Sequence, residues 1–136
     1  MLAPVRLFLV RHAKAAPGSP DELRALNERG REQARELGER FAEEPPDVVL
    51  SSPLLRARET ADAIARAAGV PLRIDDRLAP GATAEGLLEA LAGVEGSVVA
   101  VGHQPDCGEI AAALSGGPEP PFPTAGVVEI ELHDQH

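Results

Sequence analysis

Two arginines and two histidines carry the chemistry that this sequence suggests. Arg11 and His12 end the stretch LFLVRHAKA, where an apolar run stops abruptly in basic residues. Arg56 lies just beyond Ser51-Ser52-Pro53, and His103 follows Gly102 at the end of a second apolar run. A guanidinium group stays charged and presents a planar fork of donors that matches phosphate oxygens. A neutral imidazole can attack phosphorus while a second one donates to a phosphoryl oxygen. The arginines would stabilise the charge that develops on the equatorial oxygens, so the reaction needs no metal ion and no cofactor. Together the four residues describe a site for a dianionic phosphoryl group, with either histidine as the nucleophile.

The rest of the chain opposes such a ligand. Its 136 residues carry a net charge of −9, which repels phosphate backbones and anionic membranes. An anion must therefore be held by a local basic cluster working against the global field. Three Phe with no Trp or Tyr leave little to stack on bases, so no nucleic-acid partner is expected. Other phosphate and hydrolase chemistries fail on spacing. There is no GxxxxGK[ST], no HExxH and no G-x-S-x-G, and Cys107 has no Arg six residues on. The single cysteine excludes an intrachain disulfide and fits a reducing compartment. With no apolar run near membrane length and no signal-peptide pattern, a cytoplasmic protein is expected.

The elements that must position the four residues alternate between strand and helix. Val5 to Val10, Val48 to Leu50, Leu72 to Ile74 and Ser97 to Val101 read as strands. Asn27 caps a helix over Glu28 to Glu43, with Ala34, Leu37 and Phe41 on one face. Ser52-Pro53 reads as the cap and first residue of a helix carrying Ala61, Ile64, Ala65 and Ala68, closed by Gly69. Thr83 caps a helix with Leu87, Leu88 and Leu91, and Pro105 opens one with Ile110, Ala113 and Leu114 on its buried side. Val128, Ile130 and Leu132 alternate with Glu129 and Glu131, which predicts a final antiparallel strand at a sheet edge.

This pattern predicts one α/β domain over residues 1–136, a three-layer sandwich whose mostly parallel central sheet carries helices on both faces. Ligands of such sheets bind beyond the carboxyl ends of the strands. Arg11-His12, Ser51-Ser52-Pro53 with Arg56, and Gly102-His103 each follow a predicted strand, so the fold should gather them at one rim.

Three segments also carry a family resemblance. FLVRHAKA resembles the Arg-His-Gly signature of the histidine phosphatase superfamily, which has the phosphoglycerate mutase-like fold. LSSPLLRARETA is similar to its second signature and VVAVGHQP to its third, in the family's order. The short length, DELRALNERG and RLAPG resemble the SixA-type phosphohistidine phosphatase branch. The resemblance implies that His12 is the nucleophile that becomes phosphorylated. It implies that Arg11, Arg56 and His103 complete the phosphate pocket, with Asp21 and Arg24 at its edge, orienting Arg11 or the substrate. The expected partner is a phosphorylated protein such as a phosphotransfer domain, or else a small phosphorylated substrate, met by a monomer. Alternatives are a general small-molecule phosphomonoesterase and a non-catalytic phosphate-binding module; a mutase would need inserted segments for which the chain lacks room.

Two departures from the pattern stand out. Ala13 replaces the usual Gly of the signature. The segment RLAPGATAEG offers only Glu85 where many relatives place a catalytic acid, and Glu85 falls in the first turn of a helix, where it serves the dipole. A missing acid suits a labile P–N bond better than a phosphate ester. Plainer roles are expected elsewhere. Arg56 taken alone could pair with Glu59 or Glu39, but its offset from Ser52-Pro53 assigns it to the site. Lys14 reads as a solvated loop charge, Cys107 as a packing residue, and His133 and His136 as bystanders in a polar tail. GGPEPPFPTAG, residues 116–126, reads as a stiff loop walling the pocket.

Overall fold

The computed structural model describes residues 4–133, so His136 lies outside the described part. Five strands form one sheet: β1 (Val5–Arg11), β2 (Val48–Ser51), β3 (Leu72–Ile74), β4 (Gly96–Gly102) and β5 (Val127–Leu132). They lie in the order β3-β2-β4-β1-β5. All neighbours are parallel except β5, which runs antiparallel to β1 at the edge. The predicted mixed sheet with an antiparallel C-terminal edge strand is thus the one observed. In β4, Val98 to Val101 are wholly buried, because helices cover both faces of a central parallel strand.

On one face, α1 (Glu28–Glu43) and α2 (Leu55–Ala68) pack Leu37, Phe41, Ala57, Ala61 and Ile64 against Phe8, Val10, Val49, Val99 and Val101. Phe8 and Phe41 meet edge to face at 5.2 Å. On the other face, α3 (Ala84–Ala90) and α4 (Asp106–Ser115) cover Leu7, Leu9, Leu50 and Val98 with Leu87, Leu91, Ile110 and Ala111. The alternation of side chains along β1 and β4 feeds both layers at once. Asn27 caps α1 as expected, accepting from Gly30 N–H, and Thr83 caps α3 by accepting from Gly86 N–H.

Two local expectations are corrected. The second helix begins at Leu55 rather than Pro53, with Leu54 at its cap in an extended conformation and its N–H donating to Ser52 Oγ. In α4 it is Ala111, not Ala113, that joins Ile110 in the core. No helix among the described residues is long and apolar enough to cross a membrane.

Candidate active site

The strand register brings the three polar clusters together. Arg11 pairs with Gly102, and Ser51 with Val101, so β1, β4 and β2 end side by side. Just past those ends, His12 N–H donates to Gly102 O at 3.0 Å and Ser52 N–H to Val101 O at 3.0 Å. His12 and His103 are therefore lateral neighbours, with ring centroids 5.2 Å apart and planes at 55°.

Both rings are buried, His103 at 3 % exposure and His12 at 9 %. Burial pushes the His12 imidazole down to about 4, and the positive charges of Arg56 and Arg11 push the same way. His103 is likewise lowered to about 4, by burial first and then by His12 and Arg56. Both imidazoles are neutral at physiological pH. His12 Nδ1 lies 2.7 Å from Ala13 O. A carbonyl can only accept, so the ring proton sits on Nδ1 and Nε2 keeps its lone pair. That leaves a nucleophilic nitrogen in a fixed orientation.

The two guanidinium groups are held from different sides. Arg11 Nη1 donates to Phe122 O at 3.0 Å, and the turn at residues 123–126 clasps the strand end through Arg11 N–H to Gly126 O and Ala125 N–H to Arg11 O. The proline-rich loop thus walls the rim, with Phe122 buried beneath it. Arg56, in the first turn of α2, is 7 % exposed. Its Nη1 donates to Asp21 O and its Nη2 to Asp21 Oδ2, at 3.0 and 3.1 Å. Arg24 donates to the other carboxylate oxygen, Oδ1, and to Ala16 O. These bonds from Arg24 and then Arg56 hold the Asp21 carboxyl below its ordinary range. Asp21 and Arg24 therefore orient Arg56, not Arg11, and Arg56 does not pair with Glu59 or Glu39. Glu59 instead accepts from Leu26 N–H at 2.8 Å, and Glu39 pairs with Arg35.

Among the described residues, three buried side-chain nitrogens lack a hydrogen-bond partner: Arg11 Nε, Arg56 Nε and His103 Nδ1. All three belong to the four residues picked out by their chemistry. Buried polar groups are normally satisfied, so three unsatisfied ones in one site call for a partner or a catalytic role.

Two contributors were not assigned a site role from the sequence. Thr60, fully buried, accepts from Ala13 N–H at 3.0 Å and donates to Arg56 O at 2.8 Å. It ties the peptide after His12 to the turn that carries Arg56. Its signal was a hydroxyl on the helix face that otherwise shows Ala57, Ala61 and Ile64. Ser52 was read as a helix cap, yet its Oγ lies 2.7 Å from His103 Nε2. Elsewhere the plain readings stand. Lys14 is exposed, Glu85 is exposed in the first turn of α3, and Cys107 is buried with its thiol pushed up to about 12 by burial and then Asp106. The Asp106 carboxylate accepts from Gly81 and Ala82 N–H, fixing the RLAPG segment.

Comparison with known proteins agrees with this geometry. Residues 7–89 match the family model described as histidine phosphatase superfamily (branch 1). An uncharacterised protein of Picosynechococcus is 33 % identical over 123 residues, which cover 83 % of this chain and 74 % of that protein. Among solved structures, a candidate phosphohistidine phosphatase SixA from Agrobacterium tumefaciens is 34 % identical with a TM-score of 0.80, over 93 % of this chain and 91 % of that one. The protein histidine phosphatase SixA complexed with tungstate is 26 % identical with a TM-score of 0.82, over 91 % of this chain and 86 % of that one. A mycobacterial glucosyl-3-phosphoglycerate phosphatase shares the fold at 23 % identity and a TM-score of 0.74, over 91 % of this chain and 90 % of that one. Matched through most of its length by sequence and by fold, the chain belongs to the histidine phosphatase superfamily, branch 1, and to its SixA-type group.

Proposed function

We propose that this phosphatase hydrolyses phosphohistidine on a partner protein through a covalent intermediate on His12. The observation that carries the reading is the neutral His12 imidazole. Its Nδ1 is committed to Ala13 O, and it lies beside a second imidazole and two guanidinium groups with unspent nitrogens. In the first step His12 Nε2 attacks phosphorus, the substrate P–N bond breaks, and the departing imidazole takes up a proton from solvent water. In the second, water attacks the phosphorus on His12, the new P–N bond breaks, and phosphate leaves. Arg11, Arg56 and His103 stabilise the phosphoryl oxygens in both steps.

The P–N substrate is favoured over a phosphate ester by the acid residues. Glu85, the carboxylate nearest in sequence to the position of a catalytic acid, is exposed on α3. An alkoxide leaving group needs a strong proton donor; an imidazole leaves more readily. The likeness to SixA proteins, one of them binding tungstate, supports the same choice.

The test is phosphoryl transfer from a phosphohistidine-bearing protein. The wild-type chain should take up an acid-labile, alkali-stable label and turn it over. His12→Ala should take up none and lose about 10⁴-fold or more of the turnover, as expected on removing a nucleophile. Full turnover in His12→Ala would reject the mechanism. Faster turnover of an aryl or sugar phosphate than of phosphohistidine would replace the substrate with a small phosphomonoester. Binding of phosphate without any label would reduce the chain to a phosphate-binding module.

A further inference from the structure

Ser52 follows the end of β2, beside the end of β4, and its side chain is wholly buried. Leu54 N–H donates to its Oγ at 3.2 Å, and His103 Nε2 lies 2.7 Å from the same oxygen. A hydroxyl has one proton and two lone pairs. Leu54 takes one lone pair, which leaves two arrangements toward the ring. If Nε2 carries the imidazole proton, Oγ accepts twice and its own buried proton has no acceptor. If Nε2 is bare, Ser52 O–H donates to it and the imidazole proton sits on Nδ1. Each arrangement leaves one buried donor without an acceptor, the Ser52 proton in the first and the Nδ1 proton in the second. The first also leaves the Nδ1 lone pair unmet, so the second strands one polar group fewer and puts the free donor on the ring. The proton then lies on Nδ1, which is one of the three unpartnered buried nitrogens of this site.

We infer that Ser52 is a positioning residue that sets the tautomer of His103, making Nδ1–H the donor this imidazole offers to a phosphoryl oxygen. The inference deepens the proposed phosphatase reading and rests on it for the identity of the acceptor. Two like side chains are thereby given opposite duties by the oxygen each one meets. The Ala13 carbonyl can only accept, so it leaves His12 with a lone pair to spend. The Ser52 hydroxyl donates, so it leaves His103 with an N–H to spend. A neutral N–H donor gains strength as charge grows on the oxygen it faces, which is when stabilisation lowers the barrier.

The tautomer is read directly from ring nitrogen-15 shifts of the unliganded wild-type protein at pH 7. Nδ1 of His103 should show the shift of a protonated nitrogen and Nε2 that of a bare one. In Ser52→Ala the population should move toward Nε2–H. Its kcat on phosphohistidine should then fall about tenfold to a hundredfold, with KM within about twofold, the pattern of a donor lost at the transition state. Ser52→Thr, which keeps the hydroxyl, should hold the wild-type tautomer and most of the rate. An Nε2–H tautomer in the wild type, or an unchanged Nδ1–H tautomer in Ser52→Ala, would overturn the inference. The spectra need no substrate, so a wild-type chain without turnover counts against the phosphatase reading alone.

Discussion

Strand β1 carries an arginine near each end, and the two live in different chemistry. Arg6, near the start of the strand, is half-exposed and has its charge paired: Glu44 and Glu129 hold it at 2.8 and 2.9 Å, and its guanidinium lies 5.1 Å from the centre of the Phe8 ring. Arg11, at the finish, spends one donor on a backbone carbonyl and keeps a buried Nε unspent. Arg56 across the rim resembles Arg11 more than Arg6, although Asp21 takes two of its donors. In a chain of net charge −9, neutralising a surface cation is easy, and the Arg6 end shows the ordinary result. Keeping guanidinium donors available is what needs construction. At the other end it is done with carbonyls, which orient a cation without cancelling it, and with a single carboxylate shared between two arginines.

That contrast can be broken most sharply by truncating one arginine from each end. Arg56→Ala should lower kcat/KM on phosphohistidine about 10²- to 10³-fold, the scale seen when one donor to a developing oxyanion is removed. Arg6→Ala should leave it within about twofold. Equal losses in steady-state kinetics would mean that the difference in pairing has no functional content.

The second prediction concerns acid stability, which should be set at the rim rather than at the charge-paired end. His12 and His103 each stand at about 4 in the folded protein, against 6.5 unfolded. Each therefore contributes stability that is complete above pH 6.5 and is lost as pH falls from 6.5 toward 4, where only the unfolded chain binds the protons. By pH 5 the loss is about 2 kcal/mol for each histidine, since one pKa unit corresponds to about 1.4 kcal/mol. Urea unfolding at pH 7, 6 and 5 should show this fall. Inorganic phosphate should reduce it, because an anion between the rings favours their charged forms. A flat profile across that range would remove the claim that both rings are buried and neutral.

The smallest effect is expected at Asp21. Asp21→Asn keeps the backbone carbonyl that receives Arg56 but weakens the carboxylate clamp. It should change kcat/KM by about threefold to tenfold with little change in melting temperature, because the side chain is exposed and its ion pairs are individually weak. An effect as large as that of Arg56→Ala would move Asp21 from the edge of the site to its centre.

Much of this arrangement was legible before the structure. Strict alternation after Val127 announced an edge strand, and continuous apolar runs announced β1 and β4, because a two-sided core leaves no polar positions. The four basic residues stood out for the opposite reason, as charge placed where runs of that kind end. What local sequence could not show was the return of the segment between β1 and α1 across the start of α2. Arg56 has an acidic neighbour, Glu59, at helical spacing, yet the carboxylate it meets is 35 residues away. Ser52 misled in the same fashion. A serine before a proline looks like a helix cap, and only the adjacent strand end shows which partner claims its hydroxyl.

The seat of β4 between β1 and β2 has a consequence for how this chain can change. The imidazoles face each other because the ladders count residues in step, Arg11 opposite Gly102 and Ser51 opposite Val101. A single residue gained or lost within any of the three strands would advance one tip by about 3.3 Å and turn its side chains toward the opposite helical layer. Insertions in the connecting loops cost the ladders nothing. New substrate preferences can therefore arise by redrawing the surroundings of the rim, while the spacing of the reacting groups is inherited from the counting of the sheet.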